Sequence, residues 1–203
     1  MALAAWSGTP PADETAAREQ LIVAARRCLT SFGARKTGLA DIARAAGVSR
    51  QTLYRYYPGG RAEIMLAVLN HAAERFSLRI QAGLGDGDDP LEIAARGVVL
   101  VTRGLGEDPV LRVIGTLQDE RGTMLLGFES SVGVEFTRRC LTRIRDLCPH
   151  ATDEQFDSLC EVLLRLAISL HVSPGPKRSD EELHATVRGW LASSSWLVAE
   201  NGR

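Results

Sequence analysis

The chain has 203 residues, of which 45% are apolar and few are aromatic, enough for one large domain or two small ones with real cores. No apolar run approaches the roughly 20 residues that a bilayer-spanning helix needs, which argues against a membrane partner. Net charge is −1, yet residues 1–80 carry 11 Lys and Arg against 6 Asp and Glu, whereas residues 81–203 carry 13 against 19, so a polyanionic partner is expected for the first part alone.

Residues 1–12, with Gly8, Pro10 and Pro11, read as a disordered leader. It has no Lys or Arg to make a basic arm, and it lacks the basic start and long apolar core of a secretory signal. Asp13 or Thr15 caps a first helix reaching about Ser31. Its apolar stripe is Leu21, Ala24, Ala25, Cys28, Leu29 and Phe32, and Gly33 ends it. Thr37 or Gly38 opens a second helix with Asp41 in its first turn, where the helix dipole favours an acid. Leu39, Ile42, Ala43 and Ala46 give that helix one apolar face. Gly47 supplies the left-handed residue that stops it. Val48 plugs the corner and Ser49 caps a third helix. Leu53 and Tyr57, four apart, hold the third helix to the core. This leaves Arg50, Gln51, Thr52, Tyr54, Arg55 and Tyr56 facing outward.

Pro58-Gly59-Gly60 breaks the chain again. A fourth helix runs from near Arg61 to about Ala82, with Ile64, Ala67, Val68, His71, Ala72 and Phe76 inward. The first helices and its start close a small core around Phe32, Ile42, Leu53 and Tyr57. The expected domains are therefore residues 13–60 and residues 61–203. Gly83 to Pro90 is a linker. Its glycines do not make a phosphate loop, because no strand precedes them and no Lys-Ser/Thr pair follows. Its aspartates lack the regular ladder and distal Glu of a calcium loop. Beyond it, helices are expected at about 91–105, 109–118, 123–148, 153–172 and 180–199. With no alternating apolar run to argue for a sheet, the fold class is all-α: an N-terminal three-helix, helix-turn-helix domain and a C-terminal helical bundle.

A short helix with hydrogen-bonding and cationic groups on its outer face suits a helix-turn-helix reading head for double-stranded DNA. The hydroxyls of Thr37, Ser49, Tyr54 and Tyr56, each near a helix terminus or on the outer face, are expected on phosphates. Arg50, Gln51, Thr52 and Arg55 are expected on base edges, because Arg pairs with guanine, Gln with adenine, and a Thr methyl touches thymine. Arg44, at the end of the second helix, is near enough the turn to reach the groove.

Other function classes fit less well. There is no triad-like elbow, Walker loop or dinucleotide fingerprint, and His71, His150, His171 and His184 have no partners at catalytic spacing, so no enzyme and no cofactor is expected. Cys28, Cys140, Cys148 and Cys160 have no CxxC or CxxxH spacing, so no metal site is expected and reduced thiols in a cytoplasm are the reading. A protein-binding helical scaffold would show an exposed apolar stripe where residues 50–56 show polar groups.

The run Gly33, Thr37, Asp41-Ile42-Ala43, Gly47-Val48-Ser49, Thr52-Leu53-Tyr54 and Tyr56-Tyr57-Pro58 resembles the DNA-binding head of tetracycline-repressor-like (TetR/AcrR) transcription regulators. The resemblance covers roughly residues 15–70. It implies a repressor that binds a palindromic operator as a homodimer through the last two helices and is released by a small molecule held in the body; activation, or action without a ligand, is the alternative within the same fold. Two departures stand out. Gly38 replaces the usual capping Ser or Thr, and Pro58-Gly59-Gly60-Arg61 replaces the shorter entry to the fourth helix, with Arg61 standing in for its phosphate-binding lysine.

For the dimer, Phe156, Leu159, Cys160, Leu163, Leu164, Ala167 and Leu170 offer one apolar face, and Val187, Leu191, Ser194, Ser195 and Leu197 another. The effector is expected to be mostly apolar, among Val99, Val113, Leu117, Leu126, Phe128, Phe136 and Cys140, while Arg103, Glu129, Glu135 and Arg138 lie on an outer face.

Overall fold

The computed structural model describes Trp6, residues 11–115 and residues 131–193; among these there are helices and no strand. None of the helices is long and apolar enough to cross a membrane. The described residues fall into two compact units, one holding residues up to 72 together with 109–115, the other holding residues 73–108 and 131–193.

In the first unit, α1 spans Glu14–Phe32, α2 Leu39–Ala45 and α3 Arg50–Tyr56. The opening turns of α4, Gly60–Leu84, complete it, and α6, Pro109–Gly115, packs on α1. Asp13 caps α1 by accepting the Ala16 N–H at 2.8 Å. The stripe of α1 is buried from Ala17 to Leu29, but Phe32 is 54% exposed and is no part of the core. It is the last residue of α1. Ile64 and Val68 of α4 belong to the same unit and are fully buried, as are Ile42 and Leu53, with Tyr57 at 3%. That is why this unit runs past residue 60: α1 to α3 are too short to bury their apolar faces without those turns.

The α2–α3 corner follows from Gly47, whose φ is 66°. The Val48 N–H reaches back to the Ala43 carbonyl at 2.9 Å and the Gly47 N–H to that of Arg44 at 3.1 Å, which satisfies two carbonyls at the end of α2. An L-residue pays about 1–2 kcal/mol in that conformation. Gly47→Ala is therefore expected to lower stability by about that amount in chemical denaturation, and an unchanged midpoint would refute this account of the turn.

In the second unit, α5 spans Pro90–Glu107, α7 Ser131–Leu147, α8 Asp153–Val172 and α9 Asp180–Leu191. Helix α5 packs against α7, α8 and α9, so it is buried almost all round, from Leu91 to Leu105. Asp89 caps it, accepting the Leu91 N–H at 2.9 Å while Arg188 of α9 reaches the same carboxylate at 2.7 Å. Thr152 and Ser179 cap α8 and α9, each in a reciprocal box with Gln155 or Glu182.

This packing corrects the expected dimer faces. Phe156, Leu159, Cys160, Leu163, Leu164 and Ala167 are buried in the core of their own chain, as are Val187 and Leu191. An apolar stripe on a helix does not say whether its partner belongs to the same chain, and here α5 and α7 cover α8 while α5 covers α9. Ser194, Ser195 and Leu197 lie outside the described residues. The outer face of α8 and α9 carries Val162 and Trp190, both exposed.

Arg103 pairs with Asp180 at 2.8 Å, Arg138 with Asp157 at 2.8 Å and Glu135 with Arg139 at 2.7 Å, all on outer faces as expected. Glu129 lies outside the described residues. All four thiols are buried, and burial pushes Cys140 and Cys160 up to about 12, which leaves them as unreactive apolar groups. His171 is half-buried, with Nδ1 3.1 Å from the Thr102 carbonyl oxygen.

Candidate nucleic-acid interface

Helix α3 is set by its cap. Ser49 Oγ accepts the Thr52 N–H at 3.0 Å and lies 2.9 Å from Thr52 Oγ1. Leu53 is fully buried, and Tyr57 continues its side of the helix, its hydroxyl donating to the Arg18 carbonyl and its ring lying under the Arg18 guanidinium. At roughly 100° per residue, Gln51 and Arg55 then lie nearly opposite Leu53, and both are exposed. Arg50 and Gln51 make no side-chain hydrogen bond or ion pair among the described residues.

Three of the expected contact residues are turned otherwise. Thr52 is 2% exposed and does not face outward. It lies about 100° from Leu53, on the flank that also holds Ser49, and the cap draws its hydroxyl in. Thr37 is 1% exposed, and its hydroxyl donates to the Gly33 carbonyl at 2.8 Å. Arg61 directs its guanidinium at main-chain carbonyls, Nε donating to Thr37 O at 2.9 Å and Nη2 to Ala34 O. A spacing pattern counts donors; it does not show which of them the chain itself consumes.

The remaining expected residues stay at the surface. Tyr54 is half-exposed, and its ring covers Gly60, where a Cβ would come within 3.3 Å of Cε1. With its φ of 66°, that position accommodates little besides glycine. Arg55 Nη2 donates to the Tyr56 hydroxyl at 3.1 Å, and its guanidinium lies 4.8 Å from the centre of that ring. Arg44 is extended into solvent with only a long contact, 3.5 Å, to Asp41. Ser49 is exposed but already serves as a cap.

At the start of α2, Gly38 has no side chain to cap with, but its N–H donates to Asp41 Oδ2 at 3.1 Å, half of the reciprocal box.

Two features escaped the sequence reading. Arg35 and Lys36, in the connection between α1 and α2, are both exposed beside the start of α2. Their adjacency to Thr37 was the available signal. Trp6, placed by its sequence in a disordered leader, sits edge-on to Tyr56 with ring centres 6.5 Å apart. Residues 1–5 and 7–10 of that leader lie outside the described residues.

Residues 21–68 match the model of the bacterial regulatory proteins of the tetR family. The chain carries a TetR-family domain. The TetR-family match begins inside α1 and ends inside α4, so it takes in the whole of this surface and the turns of α4 that close the core beneath it. An HTH-type transcriptional regulator of Mycobacterium tuberculosis, Rv2250c, is 35% identical over 95 residues, 47% of this chain and 48% of that protein. A second from the same organism, Rv1255c, is 30% identical over 95 residues, 47% of this chain and 46% of that protein. The chain thus matches about half the length of these curated relatives. Among solved structures, the TetR family repressor AlkX from Dietzia sp., implicated in biodegradation of n-alkanes, is similar with a TM-score of 0.62 at 20% identity, over 92% of this chain and 97% of that one. RolR in complex with resorcinol is similar with a TM-score of 0.62 at 19% identity, over 93% of this chain and 95% of that one. At such identities the likeness beyond the TetR-family domain is one of fold.

Proposed function

We propose that this chain is a cytoplasmic transcriptional repressor that binds a palindromic operator as a homodimer and is released by a small, mostly apolar ligand. The observation that carries the DNA reading is the pair Gln51 and Arg55, exposed opposite the buried Leu53 on the second helix of a TetR-family helix-turn-helix. Arg50, Gln51 and Arg55 read bases. Arg44, Ser49, Tyr54 and Tyr56, joined by Arg35 and Lys36, meet phosphates. Thr37 and Thr52 support the head from within.

The test is binding to duplexes selected by the protein from a random-sequence pool. Log affinity falls linearly and steeply with log salt if phosphate neutralisation drives binding. Failure to retain any duplex at low salt would end this reading.

One seven-residue helix makes too few contacts for tight specific binding, so a two-fold dimer presenting two heads about 34–36 Å apart is required. Support for the outer face of α8 and α9 as its interface is the exposure of Trp190 (54%) and Val162 beside Ser158. Aromatic anchors of this kind carry most of an interface's energy. Trp190→Asp is expected to shift sedimentation to the monomer and weaken operator binding by at least tenfold, while leaving the helical content intact. A variant that stays dimeric would move the interface elsewhere.

Support for an effector site in the second unit is an apolar cavity of about 20 Å³ surrounded by Ile80, Val98, Val101, Phe136, Cys140 and Leu163. Phe136 and Cys140 belong to the expected pocket. Val99 is buried outside this lining, and Val113, Leu117, Leu126 and Phe128 are side chains outside the described residues. A cavity this small holds little more than one water. A ligand of resorcinol's size must therefore enlarge it, and that need for repacking is how binding would favour a form of the protein that no longer fits DNA.

A further inference from the structure

Arg61 has a charge at the start of α4 and an exposed side chain, which is what a phosphate ligand needs. Its hydrogen bonds tell a different story. Nε donates to Thr37 O at 2.9 Å and Nη2 to Ala34 O, residues 24 and 27 positions earlier. Both acceptors belong to buried residues, Ala34 at 4% and Thr37 at 1% exposure. A buried carbonyl left without a donor is costly, so these two bonds answer a need of the fold.

Among the described residues, the other hydrogen bonds of that connection stay within it or run to the adjoining ends of α1 and α2. The hydroxyl and the N–H of Thr37 both reach the Gly33 carbonyl, and Gly38 is tied forward to Asp41. None of these bonds ties the connection to α4. Arg61 does so, from the first turn of α4, at the point where α2 begins.

We propose that Arg61 is a positioning residue that sets the angle at which α2, and through the Gly47 turn α3, leaves α1. This rests on the DNA-binding reading only for its consequence; the clamp itself is a property of the free protein. The planar guanidinium fork addresses both carbonyls at once. A lysine ammonium is a single charge on a flexible stem and cannot reproduce the pair. Arg61→Lys therefore separates the two roles: it preserves a phosphate contact and destroys the clamp.

The experiment uses the full chain as wild type, Arg61→Lys and Arg61→Gln. Amide hydrogen exchange is followed across the protein, and duplex binding is measured over a range of salt with a duplex that the wild type selects from a random pool. The expected result is exchange about tenfold faster at residues 35–46 in both variants, the scale of one lost hydrogen bond, with α1 and α5 unchanged. Affinity for the selected duplex falls at least tenfold in both variants, while the salt slope stays that of the wild type.

A phosphate contact predicts the reverse: exchange unchanged, Arg61→Lys binding like wild type, and the slope for Arg61→Gln reduced by about one. That result overturns the proposal, as does exchange that speeds up equally throughout the first unit. If the wild type selects no duplex, the regulator reading fails, and the exchange data still decide whether Arg61 holds the connection.

Discussion

Leu53→Ala is expected to destabilise the first unit by about 2–5 kcal/mol and to abolish specific DNA binding. Leu53 is fully buried, at the centre of the inner face of α3. A helix of seven residues has no stability of its own, because the cost of nucleation exceeds what so few backbone bonds return. Packing on Leu53 and Tyr57 is thus what keeps α3 formed, with the Ser49 cap as a smaller addition of about 1 kcal/mol. The exposed Arg50, Gln51 and Arg55 are untouched by the substitution, yet they lose the scaffold that aligns them. The measurement is exchange protection of α3 amides together with affinity for a selected duplex. Wild-type protection and binding in the variant would mean that α3 is held by something other than Leu53.

Substitutions on the outer face should act in the opposite way. Arg50→Ala and Gln51→Ala are each expected to leave the unfolding midpoint where it is, since neither side chain has a partner among the described residues. Each is expected to change which bases are preferred at one position of the half-site. A good bidentate base contact is worth about 1–3 kcal/mol of discrimination, and a two-fold complex loses it twice, about 2–6 kcal/mol in all. Comparing pools selected by wild type and variant shows whether the preference moved. A uniform loss across all sequences would instead assign these side chains to phosphates. Arg55 is a less clean test, because its guanidinium also lies on Tyr56, and removing it disturbs both groups.

Much of the head was legible because local rules decide it. Asp13, Gly33, Gly47 and Ser49 mark helix ends through backbone conformation and capping, which involve neighbours within a few residues. The buried stripe of α1 follows from helical spacing up to Leu29. At Phe32 the rule failed, since periodicity says which side of a helix a residue is on and not whether anything reaches it there. The same limit explains α8, whose apolar stripe suits a second chain by its spacing alone and is covered by α5 and α7. The bonds of Arg61 were hidden for a related reason: its partners lie 24 and 27 residues away and are main-chain carbonyls, which no side-chain pattern announces.

By itself, then, the sequence determined the all-helical class, the helix-turn-helix and the polar character of its outer face, because turn chemistry and a 3.6-residue period are short-range properties. The tertiary structure alone decided which of those polar groups remain free. Thr37 and Thr52 are buried and Arg61 is bonded to main-chain carbonyls, whereas Gln51 is left to solvent and Arg55 stays exposed against Tyr56, and that division depends on what packing brings against each side chain. It also decided that the apolar stripes of α8 and α9 serve their own chain, since hydrophobic burial is non-directional and does not distinguish a neighbour in the fold from a partner.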